Sequence, residues 1–338
     1  MGMQGDELLT ILQKFPQQSI SSLIKKTFST VDEGILKAGI IEDGTTAVIA
    51  FIRYEDQKKL NELNNETVII KRRKLYVANC GDARAIIITN ISYNTSQLTK
   101  LSNSSQTLFP NQPFVLSTRL SFDHKPTDAS EAQRIWQLNE QVKQEKEEEK
   151  LNKKNKDNKQ KRYGYEYQER NLYEQYTDQG YFVYQGRVNG ILAISRSLGD
   201  HYLKRAVISD PYISTRLIRD NELNVMERVL DDEGERIVIR KGRLNEEKKD
   251  NINTNIDNND LMDEHSDERY QNNKIDVIVK DTFLILACDG LWDVMTDDEV
   301  AEFVSHIKGD AQQIARILVQ EALKRGTTDN VTVLVVKL

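Results

Sequence analysis

Apolar residues recur at helical spacing between Gly5 and Ala38: Leu8, Leu9, Ile11 and Leu12, then Leu23, Ile24, Phe28, Val31, Ile35 and Leu36. The β-branched run GTTAVIAFI (Gly44–Ile52) opens on glycine and predicts a strand. A polar, hairpin-like segment follows. KLYVANCGDARAIIIT (Lys74–Thr89) then predicts strand, Cys-Gly-Asp turn, strand. Asn90–Pro113 is rich in Ser and Asn and predicts a loop. Ala129–Leu138 carries a short helical pattern around Ala132, Ile135 and Trp136.

Two stretches break the pattern. QVKQEKEEEKLNKKNKDNKQKR (Gln141–Arg162) has almost no apolar residues and cannot bury enough surface to offset its ordering entropy. It reads as a disordered insertion, with an exposed charged helix as the alternative. A second insertion, roughly Leu217–Asn273, ends in NINTNIDNNDLMDEHSDE, and its middle, ERIVIRKGR (Glu235–Arg243), suits an added hairpin.

Order is clearest near the C-terminus. Thr296 with Glu299 makes a capping-box pattern before Val300, Phe303, Val304 and Ile307, and Gly309 is expected to close that helix. Asp310 with Gln313 opens another, with Ile314, Ile317, Leu318 and Leu323 on one face and Gly326 as its stop. Val331–Leu338 predicts a last strand. Just upstream lies TFLILACDGLWDVM (Thr282–Met295), where the apolar run Phe283–Cys288 meets Asp289, and Asp293 follows. Taken alone, Asp289-Gly290 reads as a strand-ending turn, as does Thr328-Asp329-Asn330.

Composition narrows the function classes. Of 338 residues, 38% are hydrophobic and 30% charged, which fits a packed core diluted by polar insertions. A net charge of −6 gives no electrostatic reason for nucleic acid or an anionic membrane as partner. The basic runs Lys71–Lys74 and Lys153–Arg162 lie beside acidic or amide-rich sequence and read as solvated loops. Two cysteines, Cys80 and Cys288, read as buried thiols and make neither a disulfide framework nor a zinc site. No apolar run approaches a membrane span, the start MGMQGDELL lacks a signal-peptide pattern, and Asp6 stands where myristoylation wants Ser or Thr. The expectation is an intracellular monomer in the cytoplasm or nucleus.

Asp82, Asp123, Asp200, Asp289, Asp293 and Asp329 all sit at turns or edges abutting apolar strands. A carboxylate in such surroundings is costly unless paired or bound to a metal, and oxygen-rich clusters suit hard cations. The sequence has no HExxH, zinc spacing, P-loop or GxSxG, and the four histidines, His124, His201, His265 and His306, form no ligand pair.

The series GTTAVIAFI, LYVANCGDARAII, SFDHKP, GRVNGILAISRSLGD, FLILACDGLWDVM and GTTDNVTVLVV resembles the metal-dependent protein phosphatase 2C (PPM-type) family. The resemblance covers roughly Gly44–Leu338 apart from the insertions. It implies an α+β fold: a four-layer α-β-β-α sandwich of two antiparallel sheets flanked by helices. It further implies hydrolysis of phosphoserine and phosphothreonine in phosphoprotein substrates by a water bridging two Mg²⁺ or Mn²⁺ ions, without a phosphoenzyme. By this match Asp289 and Asp329 are C-terminal ligands of the metal pair, and Asp123 and Asp293 serve a third, weaker ion. Asp82 with Arg84, and Arg196 with Asp200, match turns explained as buried Arg-Asp pairs. The family's Asp-Gly-His-x-Gly signature does not occur, so its general-acid His and the phosphate-binding Arg have no counterpart. The expectation is one domain over 1–338, N-terminally incomplete, with insertions at about 139–178 and 217–273. As a phosphatase it would be impaired in this chain. The alternative is a catalytically inactive pseudophosphatase acting as a binding or regulatory module.

Overall fold

Ser19 accepts the Ser22 N–H at 3.2 Å and opens α1 (Ile20–Lys37), whose Leu23, Ile24 and Phe28 are buried on one face. The computed structural model describes residues 19–61, 66–93, 114–155, 180–231, 234–241 and 274–338. The helix expected around Leu8–Leu12 lies outside them. So do most of the Asn90–Pro113 loop and the end of the second insertion.

The strands in chain order are β1 (Gly44–Thr45), β2 (Ala47–Asn61), β3 (Glu66–Cys80), β4 (Arg84–Tyr93) and β5 (Phe114–Arg119). After α2 (Ala129–Asn155) come β6 (Val183–Tyr184), β7 (Arg187–Val188), β8 (Leu198–Gly199), β9 (Tyr212–Leu217), β10 (Glu222–Asp231), β11 (Gly234–Lys241) and β12 (Lys274–Ala287). Three helices, α3 (Asp289–Trp292), α4 (Asp297–Ser305) and α5 (Ala311–Lys324), precede β13 (Val333–Lys337).

Two antiparallel sheets dominate: β2-β3-β9, and β11-β10-β12-β4-β5 with β13 added to β12. Leu75 and Val77 of β3 meet Ala85 and Ile87 of β4 and Leu284 and Leu286 of β12, so the sheets pack face to face. Outside the three-stranded sheet, Ile24 and Phe28 of α1 cover Tyr76 and Ala78. Outside the larger sheet, Val300 and Val304 of α4 and Ile314 and Leu318 of α5 cover Ile86, Ile88, Ile285 and Val335. The four layers are the α-β-β-α arrangement expected. Both predicted capping boxes are present. Among the described residues no helix is long and apolar enough to cross a membrane.

Several expectations need correction. The charged segment after Leu138 continues α2 to Asn155, because Glu, Lys and Gln favour helix and its first turns are anchored. Val142 is buried, Asn139 Oδ1 accepts the Tyr181 N–H at 3.1 Å, and Arg205 clamps Glu145 at 2.9 and 3.0 Å. The insertion expected from Leu217 starts on the last residue of β9, and the hairpin expected around Glu235–Arg243 is present as β10–β11, which extends the larger sheet through β10–β12 pairing. Lys71–Lys74 is strand rather than loop: Arg72 pairs with Glu222, Arg73 with Asp220 and Lys74 with Glu55. The α4 helix ends at Ser305, short of Gly309. Cys80 is buried as expected, but Cys288 is only partly so.

A buried ion pair ties the loop before β9 to α2. Glu131 is 1% exposed and accepts from Arg134 Nη2 at 2.8 Å and Arg196 Nε at 3.1 Å. Arg134 also donates to the carbonyls of Ser195 and Ala206. Burial alone would raise the Glu131 pKa; Arg196 and Arg134 outweigh it and hold it at about 2. Because the folded value is depressed, this pair's contribution is complete above the unfolded value of about 4.3 and fades as pH falls toward 2. Glu131→Ala is expected to cost about 3 kcal/mol at pH 7 in urea unfolding and to flatten the acid limb of stability below about pH 4.3.

Candidate metal centre at one end of the sandwich

Strand register gathers the acids. Ala287, the last residue of β12, pairs with Arg84, the first of β4, and also with Val333, the first of β13. Arg119, the last of β5, pairs with Ile86. The flanking turns therefore emerge at one end of the larger sheet, carrying Asp82, Asp289, Asp329 and Asp123.

The Cys-Gly-Asp turn before β4 is rigid. Gly81 has φ +98°, and a Cβ there would lie 2.4 Å from Thr46 Cγ2, so only glycine fits. Buried Asn79 donates to the carbonyls of Phe122 at 2.6 Å and Gly81 at 3.2 Å, and accepts the Phe122 N–H at 3.1 Å. Gly81 N–H donates to Nδ1 of buried His124 at 3.2 Å. Burial, reinforced by Arg196, lowers the His124 pKa to about 4, so this imidazole is neutral at pH 7 and braces the turn. Asp82 is thereby fixed, buried, with the Lys125 ammonium on its carboxylate.

Asp289 opens the single-turn helix α3, and the Asp293 N–H donates to the Asp289 carbonyl at 2.8 Å, placing Asp293 one turn on. A Cβ on Gly290 would stand 2.3 Å from the Asn330 carbonyl oxygen, so glycine lets the Asp329-Asn330 turn lie directly against α3. Cys288 locks the same contact: its thiol donates to the Asn330 carbonyl at 3.1 Å and accepts the Thr332 N–H at 3.2 Å.

The charge distribution marks the site. Burial raises the Asp289 pKa, and Asp82, Asp329 and Asp293 raise it further in that order, with Lys125 opposing. Burial pulls Lys125 down, but Asp82, Asp289 and Asp293 together raise it. Three of the four sequence-predicted ligands, Asp289, Asp293 and Asp329, thus share one electrostatic neighbourhood, and Asp82 joins them. Carboxylate oxygens alone, crowded until one resists ionisation, fit a hard divalent cation in chemistry and charge. Among the described residues no three of these groups stand close enough to grip one ion together, and the cation placed among them is Lys125.

Asp123 stands apart. Arg84 Nε donates to it at 3.2 Å, Arg84 Nη1 donates to Asp297 at 2.6 Å, and Arg119 holds Asp297 at 2.7 and 3.0 Å. Arg84 also stacks on Trp292, 5.0 Å from the ring centroid. The expected Asp82–Arg84 pair is therefore replaced: Arg84 serves Asp123 and Asp297, freeing Asp82 to face Asp289. The Arg196–Asp200 pair is likewise absent. Arg196 serves Glu131 and the Asp210 carbonyl, while Asp200 adopts a left-handed conformation with its N–H on the Asp43 carbonyl. Lys125 was legible only as part of Asp-His-Lys-Pro, and Asn79 carried no signal.

Burial and the charges of Asp82, Asp329 and Asp293 disfavour the ionised Asp289, so removing its charge relieves repulsion. With divalent ions chelated, Asp289→Asn is expected to raise stability by about 0.5 kcal/mol, the scale of a half-exposed charge interaction, measured by thermal melting in EDTA. A drop in melting temperature would mean that the Asp289 carboxylate supports the fold.

The protein phosphatase 2C family model matches residues 4–155, 176–226 and 272–331. Protein phosphatase 2C homolog 1 of Schizosaccharomyces pombe is 27% identical over 332 residues, covering 98% of this chain and 56% of the relative. Its namesake in Saccharomyces cerevisiae is 24% identical over 336 residues, covering 98% and 75%. The chain thus spans about half to three quarters of the length of these curated relatives. A solved structure, a C. elegans sex determining protein, superposes with TM-score 0.51 at 15% identity, covering 99% of this chain and 51% of that one, a likeness of fold alone. With the family model matching most of the sequence and the acids gathered at one end of an α-β-β-α sandwich, the chain belongs to the protein phosphatase 2C family.

Proposed function

We propose that this chain is a protein serine/threonine phosphatase domain dependent on Mg²⁺ or Mn²⁺, acting on phosphoprotein substrates. The observation that carries the reading is the carboxylate cluster itself: Asp289 pushed up by burial and by Asp82, Asp329 and Asp293, at one end of the larger sheet. Asp82, Asp289 and Asp329 would hold the ions, with Asp293 at the exposed rim. Divalent ions there supply a lowered water pKa and neutralise charge that builds on the phosphoryl oxygens.

The chain's own residues shape the rest. The Asn79–His124 brace and the Gly290–Asn330 contact hold Asp82 and Asp289 on rigid supports, so the carboxylates need little reorganisation. Lys125 neutralises Asp82, and with a cation in that role its ammonium would be available to phosphate oxygens. Asp123, bound by Arg84, would have to exchange that partner to hold a third ion.

Among the described histidines none is bonded to the carboxylate cluster: His124 is buried with its ring on Gly81, His201 is buried, and the His306 ring sits on the Glu302 carbonyl. This favours weak turnover by the 338-residue chain, and it is the observation behind the second reading, a binding or regulatory module. The test is calorimetry with Mn²⁺ beside hydrolysis of p-nitrophenyl phosphate and a phosphothreonine peptide. Mn²⁺ binding that is lost in Asp289→Asn, with turnover low, is the expected result. Robust turnover abolished by Asp289→Asn would overturn the impairment but keep the phosphatase. Failure to bind Mn²⁺ would contradict the metal centre.

A further inference from the structure

Beside the acid cluster lies a pocket of about 290 Å³ lined by Arg119, Phe122, Asp123, Lys125, Thr127 and Asp128. It opens next to the β6–β7 turn, where a Cβ on Gly186 would lie 3.6 Å from Thr127 Cγ2. Phe122 forms an aromatic wall, with its ring 5.6 Å from that of His124 and 6.0 Å from that of Tyr212. Lys125 reaches from this pocket to Asp82, so the pocket and the carboxylate cluster share one side chain.

The hydrogen-bond inventory of the walls is one-sided. Both acids are engaged by the protein. Asp123 holds the Arg84 guanidinium, and Asp128 accepts from the N–H of Ser130 at 2.9 Å and its hydroxyl at 2.6 Å. The bases keep donors in reserve. Arg119 spends Nε and one Nη2 hydrogen on Asp297, while its Nη1 forms an ion pair with Asp123 at 3.6 Å, too long for a hydrogen bond. Its side chain is 42% exposed and that of Lys125 40%, and the ammonium of Lys125 has donors beyond the one on Asp82. What the pocket offers an incoming group is the spare N–H and ammonium donors of Arg119 and Lys125 beside the Phe122 ring, with the Asp128 carboxylate at its edge.

We infer that this pocket receives an anionic side chain, an Asp or Glu carboxylate or a second phosphate, carried next to the phosphorylated residue of the substrate protein. The inference rests on the phosphatase reading for its placement, because the pocket adjoins the cluster where the scissile phosphate would sit. Arg119 is the specificity-determining residue. Its fork presents the remaining N–H groups in the geometry that carboxylate and phosphate accept, and Asp297 fixes its orientation. Lys125 supplies a second, mobile charge on the side facing the cluster.

The test is binding of fluorescent peptides that carry a non-hydrolysable phosphonate analogue of phosphothreonine. Glu, phosphoserine, Ala or Lys is placed in turn at the positions on either side, and the full chain is titrated by fluorescence anisotropy. Wild type is expected to bind the best acidic peptide about tenfold more tightly than its alanine counterpart, as a charge-assisted pair implies. The Glu and phosphoserine arms separate carboxylate from phosphate as the preferred anion. Arg119→Gln should bring the acidic-to-alanine ratio to within about twofold, and Arg119→Lys should keep part of it. Equal binding of Glu, Ala and Lys peptides by wild type, or a preference for Lys, overturns the inference whether or not the Arg119 variants fold. Calorimetry with Mn²⁺, run in parallel, separates the two readings. Mn²⁺ binding without acidic preference removes the pocket and leaves the metal-dependent phosphatase, whereas acidic preference without Mn²⁺ binding does the reverse.

Discussion

The register of β12 against β4 and β13 is the constraint on which the rest of the structure depends. Because Ala287 sits opposite both Arg84 and Val333, the turns that carry Asp82, Asp289 and Asp329 must leave the sheet together. That register is fixed from two sides. Leu284 and Leu286 face the second sheet, while Ile285 and Ala287 face α4 and α5. A one-residue slip would exchange the two sets and spoil both layers at once. This also explains why the strand reads as an uninterrupted apolar run: it is covered on both faces, which antiparallel strands with one wet face are not.

The same end of the sandwich holds two kinds of charge, kept apart by pairing. Arg84 and Arg119 with Asp123 and Asp297 form a nearly neutral lattice that joins β4 and β5 to α4 and stacks on Trp292. Next to it, Asp82, Asp289 and Asp293 face Lys125 as their shared cation, and burial with the charges of Asp82, Asp329 and Asp293 raises the Asp289 pKa. The first group stabilises the frame. The second is costly to the frame. Gly81 lets its turn lie against Thr46 and Gly290 lets α3 lie against Asn330, while Asn79 and His124 tie the Gly81 turn to the Phe122–His124 segment.

Much of the fold was legible locally. The capping boxes at Thr296 and Asp310, the apolar faces of α4 and α5 and the final strand all depend on neighbours within a few residues, and all appear. Motif order placed Asp289, Asp293 and Asp329 near one another. What was not legible depends on pairing across long stretches of chain. Arg84 and Asp82 are neighbours in sequence, yet Arg84 finds Asp123 and Asp297, and Asp82 finds Lys125. The charged half of α2 looked unable to order itself because its anchors, Tyr181 and Arg205, lie far downstream. The basic run Lys71–Lys74 looked like a loop because Glu222 and Asp220, which neutralise it, belong to a strand and turn that an insertion seemed to occupy.

The central claim is that strand register assembles a divalent-cation centre from Asp82, Asp289 and Asp329. An anomalous-difference map from crystals grown or soaked with Mn²⁺ tests it most directly. The account predicts a peak about 2.1 Å from a carboxylate oxygen of Asp289, with Asp82 or Asp329 completing the contact and the Lys125 ammonium displaced from Asp82. Manganese bound elsewhere, with Lys125 still paired to Asp82 and no peak at Asp289, would contradict it.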